Sequence, residues 1–208
     1  MANEYLLKEY ELCFDQLRFY DTRHDELTRY LFTLTSAVAA AGFAVLEFLK
    51  STTPAFYAAL SVLSAIVFLA TILLYIAMLQ NRLYFVFVAR QINAIRLYFL
   101  TTEAVAFTAN QLYTLADFPA FRIRSLHTIH LIGAALVSSV FAGSTACGLA
   151  SSMTCAHPSA IALVAACSVA CVETVLGVIY LKSGGKKSAN DFLRSGKQSP
   201  NQSDKPGK

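Results

Sequence analysis

The chain has 208 residues, 56% of them hydrophobic and only 14% charged, and its mean hydropathy is +0.51. Soluble domains carry about 25% charged residues, so this composition excludes an ordinary soluble domain. The formal net charge is +4, but its placement says more than its size, because Lys and Arg are nearly absent from four blocks and cluster between them.

Residues 1–29 alternate acidic and basic side chains, from Glu4 and Lys8 to Arg23 and Arg29. No short apolar core with a small-residue cleavage site is present, so the segment does not read as a secretory signal. Leu6, Tyr10, Cys13, Leu17, Tyr20, His24, Leu27 and Leu31 recur at steps of four and three. That is a heptad seam with two imperfect positions, Cys13 and His24. It predicts a cytoplasmic amphipathic helix that runs without Pro or Gly into the first apolar block. Two uses of the seam compete: an oligomerising or signal-transmitting coiled coil, or packing on the chain's own central segment.

A helix crosses a bilayer core of about 30 Å with roughly 20 apolar residues. Four stretches meet this, at 30–49, 55–79, 128–150 and 159–181. None alternates in polarity as barrel strands do. Short connections at Lys50–Pro54 and Ser151–Pro158 pair them into two hairpins, and Pro54 and Pro158 suit the first turn of a helix, where the missing N–H costs nothing. The fold class expected is therefore an all-α membrane protein with four transmembrane helices in two hairpins and cytoplasmic helical extensions. Of 17 Lys and Arg, only Lys50 lies at a hairpin tip. The positive-inside bias then places the tips outside and both termini in the cytoplasm, in a plasma (inner) membrane.

Between the hairpins, residues 80–126 read as a cytoplasmic helix and loop. Residues 80–100 lack helix breakers, and Tyr84, Val88, Ile92, Ile95 and Phe99 share a face. So apolar a helix needs cover, from the N-terminal helix or the membrane interface. Arg82, Arg90 and Arg96 on it are candidate contacts for anions or lipid headgroups. The loop is punctuated by Asp117 and Pro119. Residues 182–208, rich in Gly, Ser, Lys and Pro, read as a disordered basic tail able to touch anionic lipid.

Few side chains invite chemistry. Glu173 lies inside the fourth apolar block, where an ionisable group is costly and counts by default as a functional candidate. It could line a polar path, bind a cation or bridge subunits; otherwise it is an acid bonded to a neighbouring hydroxyl. His127 and His130, three residues apart at the start of the third block, form a candidate pH-responsive pair. No third ligand is evident beside them, so no metal site is assigned. Ala135, Ser139 and Gly143, and Ala162, Ala166 and Ala170, form small-residue ladders that let helices approach closely, within one chain or between chains. Cys147 and Cys155 flank the second tip, where a disulfide is possible. No nucleotide-binding Gly loop, HExxH, CxxC, Ser-nucleophile motif or nucleic-acid platform occurs. Neither an enzyme, a cofactor nor a nucleic-acid partner is expected.

The run Asp15-Gln16-Leu17-Arg18-Phe19-Tyr20-Asp21-Thr22-Arg23, leading straight into the first span, resembles the small bacterial membrane effectors called SLATT proteins. The resemblance covers about residues 10–100 and is one of architecture, without a diagnostic motif. It implies a cytoplasmic helix before a transmembrane hairpin and a pore-forming or membrane-disrupting role. The second hairpin and the basic tail depart from that pattern. The chain is thus expected to be an oligomeric channel-like or membrane-effector module, or a non-conducting scaffold or sensor subunit that binds another protein; a small transporter or intramembrane enzyme is the weaker reading. Its partners are the lipid bilayer and either further copies of itself or a membrane partner protein.

Overall fold

The computed structural model describes residues 2–49, 53–102 and 118–197. Among them lie four α-helices and no strand: α1 (Ala2–Leu49), α2 (Pro54–Thr102), α3 (Leu126–Ser152) and α4 (Pro158–Lys197). Pro54 and Pro158 each open a helix, as their fixed φ favours. Thr53 caps α2, its hydroxyl accepting the Phe56 N–H at 3.3 Å. The tip after α3 closes on the N–H of Cys155, which donates to the Ala150 carbonyl at 2.9 Å.

Among the described residues, three helices are long and apolar enough to cross a membrane: Pro54–Leu100, Leu126–Ser152 and Pro158–Lys186. At a rise of about 1.5 Å per residue, the 49 residues of α2 far exceed a hydrocarbon thickness. Part of α2 must therefore stand outside any bilayer it crosses.

The distribution of polarity suits a lipid surround better than water. On α2, Val62, Ile66, Leu69, Leu73 and Ile76 face outward, while Ser61, Ser64 and Thr71 are buried. On α3, Ile132, Leu136 and Val140 are exposed, while Ala134, Ala135, Ser138 and Ser139 are buried. In water this arrangement would expose large apolar patches and bury small polar groups, which is unfavourable on both counts. In lipid it is favourable, because small residues let backbones approach and hydroxyls need internal partners.

α3 packs between α2 and α4, and α1 lies along α2 and touches α3. The small-residue ladders are used within the chain. A Cβ at Gly143 would come within 3.0 Å of the Ala162 carbonyl oxygen and 3.1 Å of the Ala166 Cβ. One turn further along α3, Gly148 meets Ser61 and Tyr57 of α2, and the Ser61 hydroxyl donates to the Thr145 carbonyl at 3.0 Å.

One expectation needs correction, and one open point is answered. The composition from 182 predicts a disordered tail, yet α4 continues as helix to Lys197. Its Gly184 and Gly185 serve close approach here, one against Leu83 and the other against Ala120. Arg90 fixes that stretch by donating to the Gly185 carbonyl at 2.6 Å. Residues 198–208 lie outside the described part, as do 103–117 of the central loop. Cys147 and Cys155 are both free thiols rather than a disulfide, the first within α3 and the second beyond its end.

Candidate functional site

The seam of α1 is spent on the chain itself. Cys13 packs with Val88 and Ile92 of α2 in one apolar cluster, flanked by Tyr10, Phe14, Leu17 and Tyr20. Leu27 and Leu31 join a second cluster with Met78, Leu79, Val86 and Leu131. The two positions that spoil the heptad are among its most buried, Cys13 at 2% and His24 at 1% exposure. Polar contacts stitch the same face. Asn81 donates to the Tyr20 carbonyl at 2.8 Å, and Gln91 to Glu9 at 2.7 Å. Burial, reinforced by the Glu9 carboxylate beside it, pushes the Cys13 thiol above its ordinary pKa.

The three arginines singled out on α2 serve separate contacts inside the chain. Arg82 is buried, donates to the Ala120 carbonyl at 3.2 Å and lies over the rings of Phe85 and Phe118. Arg90 bridges the Phe118 carbonyl, at 2.9 Å, and Gly185 of α4. Arg96 donates to the Tyr10 hydroxyl at 3.0 Å and lies over Tyr10 and Phe14 of α1. They fasten the 118–120 segment, the end of α4 and α1 onto one rod.

His127 and His130 meet a third histidine, which the sequence reading treated only as a flaw in the seam. His24 of α1 reaches across to α3, its Nε2 3.1 Å from the His130 Nδ1. The His24 and His130 rings stack with centroids 5.2 Å apart, and the His127 ring lies 4.1 Å from that of His24. Phe85 closes one side of His127 at 4.9 Å. Asp21, itself exposed, stands 3.6 Å from the His127 Nε2. The Thr28 hydroxyl donates to the His24 carbonyl at 2.9 Å and lies 3.4 Å from the His130 Nδ1. His24 Nδ1 and His127 Nε2 are buried without a hydrogen-bond partner. Among the described residues no group of three or more His, Cys, Asp or Glu is placed to hold a metal ion. Burial first, then the neighbouring His127 and His130, pull the His24 pKa down to about 3.

Glu173 occupies the other candidate site, at the contact of α3 and α4. Its Oε1 accepts from the Ser138 hydroxyl at 2.7 Å, and its backbone carbonyl accepts from the Tyr75 hydroxyl of α2 at 2.8 Å. Its Oε2 is buried without a partner. One side of Glu173 lines a cavity of about 530 Å³ between α2 and α4, walled by Phe68, Ile72, Tyr75, Val172 and Leu176. That wall is almost wholly apolar, unlike the lining of an ion path. No protein-family description matches the chain, and no curated protein or solved structure matches it either.

Proposed function

We propose that the chain is a four-span integral membrane protein, with two hairpins and cytoplasmic termini, that acts as a non-conducting sensor or scaffold subunit. In this reading Tyr30–Leu49 of α1 is the first span, and the cytoplasmic halves of α1 and α2 form a rod above the membrane. The observation that carries it is the fate of the α1 seam. A channel gated through Leu6–Leu31 needs that stripe for neighbouring copies, whereas its Cys13, Leu27 and Leu31 are buried in clusters with Val88, Ile92 and Leu131 of the same chain. The apolar surroundings of Glu173 also argue against a polar route through the bundle.

A different row of α1 remains available for a partner. Tyr5, Leu12 and Phe19, seven residues apart, are 68%, 51% and 60% exposed. Such a row suits an apolar stripe on another helix. Two measurements on the full chain test the reading: mass in nanodiscs across a range of protein concentrations, and ion flux from liposomes. No flux is expected, with any self-association abolished by Leu12→Lys and Phe19→Lys. Sustained flux from an assembly of three or more copies would overturn it in favour of a channel-like effector.

A further inference from the structure

The contact that seats α1 on α3 is built from three imidazoles. His24 comes from α1, and His127 and His130 from α3. The Thr28 hydroxyl gives its hydrogen to the His24 carbonyl, so toward His130 it can only accept. One of the two facing nitrogens, His24 Nε2 and His130 Nδ1, carries the hydrogen that the other accepts. The other ring nitrogen of His24, Nδ1, is buried without a partner.

Protonating His24 puts a hydrogen on both of its ring nitrogens, and Nδ1 has no acceptor beside it in the buried contact. The new charge would also be buried, 1% exposed, with Arg82 as well as the two other histidines around it. Asp25, on the same helix, is the opposing acidic neighbour, and it offsets less than burial and the two histidines impose. Asp21 faces His127 instead.

We propose that His24 is the pin of a pH-dependent latch, which holds α1 on α3 while neutral and frees the cytoplasmic half of α1 when protonated. The latch deepens the sensor reading by naming protons as the signal. The docked form holds His24 at a pKa of about 3, well below the ordinary value near 6.5 for a free histidine. The released form therefore binds more protons. Docking is at full strength above about pH 6.5 and weakens as pH falls below it, by up to tenfold per pH unit until the docked pKa is reached.

The test is hydrogen–deuterium exchange of the full chain in nanodiscs, corrected for intrinsic exchange rates, with and without a chelator. Protection of the segment around residues 14–31 should fall on the order of 30-fold between pH 7.5 and 5, with α3 and α4 unchanged. His24→Phe should remove that pH dependence. His24→Lys should leave α1 released at pH 7.5 while the bundle keeps its helicity, and this arm stands even if the Phe variant misfolds. Unchanged protection of the wild type at pH 5 would overturn the latch. So would an equal response in His24→Phe, or loss of protection at pH 7.5 on adding the chelator. Liposome flux at both pH values separates the two proposals: release of α1 accompanied by flux keeps the latch and rejects the non-conducting reading.

Discussion

A methyl group added at Gly177 would collide with the Tyr75 hydroxyl, the group that donates to the Glu173 carbonyl. The close approach of α2 to α4 at this level thus depends on hydrogen in place of a side chain. Gly177→Ala should destabilise the bundle by about 1–3 kcal/mol, as overpacking does. Adding Tyr75→Phe removes the colliding oxygen and should recover part of the loss, giving a coupling readable by thermal unfolding in detergent. The neighbouring pair behaves differently. Glu173→Gln keeps a carbonyl to accept from Ser138, so its cost should stay within about 0.6 kcal/mol, the average found for such bonds in membranes. A much larger loss in the same unfolding assay would mean that Glu173 has a role its visible partners do not explain. Glu173 was legible in the sequence as the one ionisable group deep in an apolar block. Ser138 was legible only as one hydroxyl among several on α3, because the choice among them depends on the rotation of α3 against α4.

At the scale of elements, the α1 period was plain but its partner was not. A seam of steps of four and three records that a face is buried, not whether the cover comes from the same chain. The reading of Cys13 and His24 as blemishes came from judging each residue against an ideal heptad. The cover is the rod of α2, where Val88 and Ile92 leave room for a thiol, and α3, where two further imidazoles await His24. A sequence cannot bring residue 24 to residue 130 without the pairing of helices. The same limit explains the misread tail, since Gly184 and Gly185 look like breakers until Leu83, Ala120 and Arg90 are placed beside them. If Arg96 fastens α1 as described, Arg96→Ala should weaken α1 docking by about 1–2 kcal/mol, through loss of one hydrogen bond and the contact with two rings. Limited proteolysis at neutral pH should then cut near residues 15–25 faster than in the wild type, while α3 and α4 stay protected. Equal rates would show that the apolar cluster holds α1 without it.

For the whole molecule, orientation decides which compartment the proposed His24 latch would read. The exposed aliphatic faces of α2, α3 and α4 suit a lipid surround but are indifferent to which end is up. The charge distribution is not. Sixteen Lys and Arg lie outside the hairpin tips and one lies at a tip, and such a bias sets topology because positive flanks resist translocation. Cys155, exposed beyond the end of α3, marks one tip, and Ile123, exposed just before α3, marks the opposite end. Cys13 is buried against α2 and its thiol is held protonated by burial and Glu9, so it should stay silent in labelling from either side. A membrane-impermeant maleimide applied to intact cells should therefore label Cys155, and Ile123→Cys in a Cys155→Ser background only after permeabilisation. The reverse pattern would place α1, its three-histidine contact and the Arg-rich face of α2 outside. The latch would then respond to acidification of the external medium, and the charge bias would have failed as a guide to this chain.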